Sequence, residues 1–294
     1  MQQIEEITNG RVKVTMYPGG AIAKVNEVWE AIETGLADIG YVPVIQYYSS
    51  RAPLTTLVSL PFAGAPTTVA FGRAWADLYN KFPEMQNEYR GVKWLTTYGI
   101  PTNQVHMVKK PVHTLEDLKG MKIRPSAAGP AFDFYRAAGA VPVSLARPDL
   151  YISLERGIVD GCEHNMVGVQ SEGIYKIVKY STIVNASSTF LTFLMNEDTW
   201  NSFPPDIQEA IWNEMGGKAG ADYIDTRLDK LVVELTEWFQ SPEVGIEVIH
   251  LSPEEQARWQ DLAKPIWAAE IAELEAKGLP AQAFFDEYLR LVKM

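Results

Sequence analysis

Three groups of polar side chains follow short apolar stretches of the sequence, and their types are those that bind organic anions. Arg124 ends the stretch KGMKIR, Arg147 follows VPVSLA, and Glu163-His164-Asn165 follows IVDGC. The guanidinium group of arginine is a fixed fork of donors that matches the two oxygens of a carboxylate. A neighbouring imidazole and amide would add hydrogen bonds. The pattern therefore predicts a carboxylate-binding site around Arg124, with a surface ion pair as the alternative for each arginine.

The same residues leave an enzymatic alternative open, because His164 beside Glu163 would be an acid–base pair. The familiar catalytic and phosphate-binding signatures GxSxG, GxxxxGK[ST], GxGxxG, HExxH and CxxC are absent from the sequence. The four histidines lack the spacing of zinc ligands. The single cysteine, Cys162, is expected to be a small buried apolar group rather than a nucleophile. We therefore predict binding without catalysis, and neither a metal nor a cofactor.

Composition and charge restrict the class of protein. The chain has 294 residues, of which 47% are hydrophobic and 21% are charged, as in soluble folded proteins. The net charge of −11 disfavours nucleic-acid binding, which needs a basic face. We find no apolar run of the roughly 18 residues that a membrane span requires, and no secretory signal.

The elements that must position these side chains alternate between strands and helices. Predicted strands include RVKVTMY (11–17), VKWLTTYGI (92–100), KIR (122–124), VPVSL (141–145), IVDGCEHN (158–165) and SSTFLTFLMN (187–196). Residues 207–238 are predicted as one long helix or two abutting helices. A capping box at 252–255 opens another helix, which Pro265 should kink or break. This alternation predicts a largely parallel sheet with helices on both faces and ligands at the carboxyl ends of the strands.

Several of these segments together resemble the substrate-binding proteins of tripartite ATP-independent periplasmic (TRAP) transporters. The matching stretches are TNGRVKVTMYPGG (8–20), HTLEDLKGMKIR (113–124), RAAGAVPVSL (136–145), LYISLERGIVDGCEHN (150–165) and MNEDTWNSFPPDIQEAI (195–211). The resemblance implies a two-lobed α/β periplasmic-binding-protein fold with mixed, mainly parallel sheets and long C-terminal helices. One lobe would hold residues 1–101 plus about 190–229, with its N-terminal strand missing, and the other 102–189 plus about 230–294.

The resemblance also implies a function. A monomeric periplasmic carrier, whose signal peptide is not present in this chain, would capture an organic acid in the cleft between the lobes. It would close on the acid and deliver it to the membrane permease of a TRAP transporter. Ligands of this family include C4-dicarboxylates, sugar acids, keto acids and sialic acid. A ligand sensor or an enzyme on the same scaffold is the alternative.

The resemblance assigns roles to individual residues. Arg124 stands at the position of the arginine that grips the ligand carboxylate. His164 stands where the family commonly has an asparagine that contacts the ligand, and Asn165 follows it. Arg147 replaces an aromatic residue, and it would either add a second positive charge to the cleft or pair with Asp149 or Glu163. Gln104 and Tyr41 complete the expected set of ligand-binding residues.

Overall fold

The computed structural model describes residues 2–293. Its α-helices are α1 Gln2–Ile7, α2 Val28–Glu33, α3 Val44–Tyr47, α4 Pro53–Thr56, α5 Thr68–Lys81, α6 Pro83–Glu88, α7 Pro130–Ala137, α8 Leu150–Glu155, α9 Met166–Ser171, α10 Glu197–Ser202, α11 Pro205–Met215, α12 Gly217–Gln240, α13 Pro253–Ala276 and α14 Ala281–Leu291. Its strands are β1 Ile39–Val42, β2 Val92–Ile100, β3 Gln104–Met107, β4 Lys122–Arg124, β5 Val141–Pro142, β6 Gly161–His164, β7 Tyr180–Ile183, β8 Thr189–Asn196 and β9 Glu247–His250. Short 3₁₀ turns cover Leu57–Ser59, Leu115–Leu118, Arg147–Asp149 and Ile174–Lys176.

The strands form two separate sheets. The first has the order β1-β8-β2, and the second has the order β5-β4-β6-β3-β7-β9. The chain passes between the sheets three times: through two short connections, residues 101–103 and 184–188, and through residues 197–246, which include α12. The described strands of the first sheet pair only antiparallel and those of the second pair in both orientations, so parallel pairing is less extensive than the sequence predicts. Within the described part of the chain, the parallel ladders are β4/β5, β4/β6 and β7/β9, all in the second sheet.

The first sheet is covered by α5, which packs on it through an aromatic face. Phe71 and Trp75 of α5 are buried, and the ring of Trp75 lies 4.9 Å from that of Trp94 on β2. Phe190 of β8 stacks on Phe71 at 5.5 Å. Aromatic pairs at these distances contribute beyond their buried area, so this contact fixes the helix on the sheet.

The long helices join the two sheets. The first half of α12 packs on α5 and β2, whereas Leu235 and Phe239 in its second half lie in the core of the second sheet. Trp259 of α13 stacks on Phe134 of α7, but the end of α13 and all of α14 pack in the core of the first sheet. The lobe boundaries stay a prediction, and the packing of α14 favours assigning it to the first lobe.

Three predicted elements differ from the structure. Residues 11–17 keep their alternation, with Val12 and Val14 half-buried, but no strand among residues 2–293 pairs with them through backbone hydrogen bonds, so they form no strand. The strand VPVSL shrinks to Val141–Pro142 at the sheet edge, because proline has no N–H for the ladder. Helix α13 continues through Pro265, which is exposed, so that water can solvate the carbonyl left without a donor.

The capping box at 252–255 forms only in part. The hydroxyl of Ser252 accepts from the N–H of Glu255 at 3.2 Å, as predicted. The carboxylate of Glu255 turns away and accepts from Leu115 N at 2.7 Å and from Trp259 Nε1 at 3.1 Å. The glutamate therefore ties α13 to the second sheet instead of capping its own helix.

Asp225 is a buried carboxyl group on the face of α12 that meets α5 and β2. Its Oδ1 accepts from Gly99 N at 3.0 Å, and its Oδ2 has no hydrogen-bond partner. A Cβ atom at Gly72 would lie 2.3 Å from Oδ2, so the close packing requires glycine. Burial raises the pKa of Asp225 from 3.8 to about 8, and nearby Asp229 adds to the rise. The folded protein therefore favours the protonated acid.

We expect Asp225→Asn to change how stability depends on pH. A carboxyl group whose folded pKa is raised stabilises the fold below its ordinary pKa, and this contribution disappears as pH rises through about 8. Asparagine does not ionise, so the melting temperature of the variant should rise relative to wild type between about pH 5 and about pH 8.5. Thermal melts across this range measure the difference. Exposed Asp261→Asn is the control, and parallel curves for Asp225→Asn and wild type would contradict the assignment.

Candidate functional site

Arg124 is the last residue of β4, which lies between β5 and β6 in the second sheet. Its side chain is half-buried, and its Nε donates to Leu145 O at 3.4 Å. Neither of its Nη groups has a hydrogen bond or an ion pair within residues 2–293. Burial lowers the pKa of this guanidinium, because it removes water that would otherwise stabilise the charge. A partly desolvated cation of this kind is suited to bind an anion.

Arg147 lies near Arg124 but already has a partner. Its Nε donates to Glu172 Oε1 at 2.6 Å, and its Nη2 pairs with the same oxygen. The partner is neither Asp149 nor Glu163, which were the candidates from sequence. Arg147 and Glu172 both influence the pKa of Arg124 through their charges, so all three lie in one electrostatic group.

His164, at the end of β6, is held by contacts on both ring nitrogens. Its Nδ1 accepts from Asn165 N at 3.0 Å, so the ring hydrogen lies on Nε2, 3.3 Å from Glu172 Oε1. The ring packs on Gly168, where a Cβ atom would lie 2.2 Å from Cε1. Asn165 is the N-cap of α9, and its Oδ1 accepts from Gly168 N at 2.8 Å. His164 thus joins the group around Arg124, while the side-chain oxygen of Asn165 caps the helix.

Glu172 is the residue on which Arg147 and His164 converge. It follows the last residue of α9 and is only partly exposed. Burial opposes its ionisation, but hydrogen bonds and charge from His164 and Arg147 outweigh burial and lower its pKa to about 2. Glu172 therefore remains a carboxylate at any ordinary pH. Glu172 was not predicted from the sequence, where its one signal is that it lies eight residues after His164.

Glu163 is buried beneath the site and is bound by hydroxyl groups. Its Oε1 accepts from Ser126 Oγ at 2.6 Å and from Ser187 Oγ at 2.5 Å. Ser126 follows β4, and Ser187 lies in the second connection between the sheets. Adjacent residues of a strand face opposite sides, and His164 contacts Glu172 rather than Glu163. The acid–base pair that an enzyme would need is therefore not assembled.

Gln104 and Tyr41 lie outside the group of side chains around Arg124. Gln104 is buried: its Oε1 accepts from Val184 N at 2.8 Å and Asn185 N at 2.9 Å, and its Nε2 donates to Thr102 and Asn185. Its amide thus ties together the two connections between the sheets. Tyr41 lies on β1 in the first sheet with 53% of its surface exposed. Within the described residues, no hydrogen bond or ion pair links Tyr41 to the group around Arg124.

A cavity of about 230 Å³ lies beside Gln104, not at Arg124. Thr102, Asn185, Asp229 and His250 contribute to its lining, whereas Arg124, Arg147 and His164 do not. Among residues 2–293 there is no cluster of three or more potential metal ligands, and no helix in that range is long and apolar enough to cross a membrane.

The protein has an antiparallel and a mixed sheet, joined by two short connections and a long shared helix, and an arginine at a strand end with no ion pair among residues 2–293. These features define a two-lobed α/β solute-binding protein. The model of the family "Bacterial extracellular solute-binding protein, family 7" matches residues 1–274. The chain therefore belongs to this family, the solute-binding proteins of TRAP transporters, as its sequence resemblance indicates.

Relatives of known structure and name support the same classification. A TRAP periplasmic solute binding protein of Desulfovibrio salexigens is 27% identical with a TM-score of 0.89, covering 99% of this chain and 88% of that one. One of Bordetella bronchiseptica, which is 24% identical, has a TM-score of 0.82 and 99% and 91% coverage. The C4-dicarboxylate-binding periplasmic protein DctP of Rhodobacter capsulatus is 24% identical over 89% of this chain and 77% of its own length. These matches confirm the predicted two-lobed fold class.

We expect Gln104→Leu to destabilise the fold, because it leaves the buried N–H of Val184 and the partly buried N–H of Asn185 without an acceptor. Each unsatisfied buried donor costs about 1–3 kcal/mol, so the free energy of unfolding should fall by about 2–4 kcal/mol. Urea denaturation measures the change. The control is Gln170→Leu at an exposed position of α9, which should stay within about 0.5 kcal/mol of wild type. Equal stability of the two variants would contradict this role.

Proposed function

We propose that this chain is the periplasmic receptor of a TRAP transporter and that it captures an organic acid through its carboxylate at Arg124. The observation that carries the proposal is the half-buried guanidinium with no ion pair in the described residues. Its two Nη groups offer a fork of donors that a carboxylate accepts with two parallel hydrogen bonds. The nearby carboxylates do not compete for these donors, because Glu163 is bound to serines and Glu172 to Arg147.

The ligands of the relatives support a carboxylate. The Bordetella bronchiseptica structure contains bound (R)-mandelate and (S)-mandelate. In the Desulfovibrio salexigens structure, the C-terminus of a symmetry mate is bound in the ligand binding site. DctP of Rhodobacter capsulatus is named for C4-dicarboxylates. These ligands share a carboxylate and differ in size and in number of charges. A site that binds the carboxylate is therefore the feature that these proteins would have in common.

The mechanism is binding and release without a chemical step. Arg124 fixes the acid on the second lobe, and groups of the first lobe, Tyr41 among them, complete the site when the lobes approach. The closed monomer then docks on the membrane permease, which takes over the acid. Catalysis is not part of this proposal, since His164 and Glu163 are bound to different partners.

We expect Arg124→Ala to abolish binding of organic acids while the fold stays intact. In a thermal-shift screen, an acid at a hundred times its dissociation constant stabilises the wild type by about 2.7 kcal/mol. The alanine variant should give no shift with the same acids. Arg124→Lys should weaken binding, because an ammonium group cannot hold both carboxylate oxygens in the fork geometry.

Arg156→Ala is the matched control, because this arginine is exposed at the end of α8 in the same part of the fold. It should keep the thermal shift, and circular dichroism of all variants tests the fold. A thermal shift that survives Arg124→Ala would refute the proposed anchor.

A further inference from the structure

The carboxylate of Glu172 occupies the donors that a second acidic group of a ligand would need. Arg147 binds it through Nε at 2.6 Å and through Nη2, and His164 Nε2 lies 3.3 Å from the same oxygen. Arg124 has no such partner among the residues described. Of the two guanidinium groups in the cluster, one is thus neutralised by the protein and one is open to a ligand.

The number of charged side chains in the cluster determines how many negative charges of a ligand it can bind. Arg124 and Arg147 are positive, Glu163 and Glu172 are acidic side chains, and the Nε2 of His164 is already engaged by Glu172. One carboxylate of a ligand meets the open guanidinium. A second carboxylate would meet Glu172 without an available cation, and like charges repel most strongly where solvent is scarce.

We propose that Glu172 makes this site selective for acids with a single negative charge, that is, for monocarboxylates over dicarboxylates of the same size. The proposal rests on the proposed function of Arg124 as the carboxylate anchor. Glu172 acts through its charge and through its hold on Arg147, and it needs no contact with the ligand.

In a competing mechanism, the second carboxylate of a dicarboxylate ligand would displace Glu172 from Arg147 and bind there itself. The contacts disfavour it. Glu172 is bound by two side chains from different elements, and the low pKa of about 2 reflects how strongly they hold its charged form. Displacement would leave this carboxylate half-buried and without those donors.

Isothermal titration with acids of matched carbon skeleton tests the proposal. The probes are butanoate against succinate, benzoate against isophthalate, and gluconate against glucarate. For the skeleton that binds, the wild type should prefer the monocarboxylate at least about tenfold. Glu172→Gln removes the negative charge and frees Arg147, so it should reduce that preference by about tenfold through a gain in dicarboxylate affinity. Glu172→Asp keeps the charge and should keep the preference.

Two further variants distinguish a change in ligand selectivity from a loss of folded structure. Adding Arg147→Ala to Glu172→Gln should cancel the gain for the dicarboxylate, because the freed cation is then gone. Glu155→Gln, at an exposed position of α8, should change nothing. A variant that merely loosens the fold would weaken the binding of both acids of a pair, whereas the proposal requires tighter binding of the dicarboxylate.

The outcomes distinguish this inference from the function on which it rests. A wild type that prefers the dicarboxylate, and loses this preference on Arg147→Ala, would overturn the role of Glu172 and leave the anchor intact. If Glu172→Gln leaves the ratio of monocarboxylate to dicarboxylate affinity unchanged, the proposed role of Glu172 is overturned as well. If no acid binds, or if binding survives Arg124→Ala, the proposed function fails and this inference fails with it.

Discussion

The charge of Arg124 is the constraint on which the rest of the site depends. A guanidinium that is half-buried and unpaired is costly, so the surrounding residues must prevent the nearest carboxylates from closing on it. Glu163 is held by two serine hydroxyls, and Glu172 is held by Arg147 and His164. Each acid therefore has other donors, and their charges moderate the field at Arg124 without neutralising it by contact.

The same hydrogen bonds connect the site to the links between the two sheets. Ser187, which donates to Glu163, lies in the second connection, and its hydroxyl also accepts from Asn103 Nδ2 in the first connection at 3.0 Å. Gln104 adds bonds between the two connections. The residues beneath Arg124 are thus fixed to the segments about which the proposed lobes would move. A change at the anion site has a short, hydrogen-bonded route to these segments.

The sequence predicted the place of Arg124 at a strand end, but it did not predict the partner of Arg147. Gly120 and Pro125 flank the segment MKIR (121–124), and this local signal was sufficient to place Arg124 at a strand end. The partner of Arg147 was not predictable, because Glu172 is 25 residues away and only the folding of α8, β6 and α9 brings the two together. Residues 11–17 alternate like a strand, yet alternation does not supply the neighbouring strand that a ladder requires.

The overall charge of the chain explains why short-range geometry must supply the affinity. A protein of net charge −11 repels an acid at a distance, and the repulsion grows with each charge on the ligand. Salt screens this field beyond about 10 Å at 0.1 M, whereas the half-buried fork of Arg124 acts within hydrogen-bond distance and is screened little. Recognition then depends on a bidentate contact rather than on steering. A second negative charge on the ligand would gain nothing from the long-range field of the protein, and at short range it would meet Glu172. The long-range and the short-range electrostatics therefore both favour a monoanion.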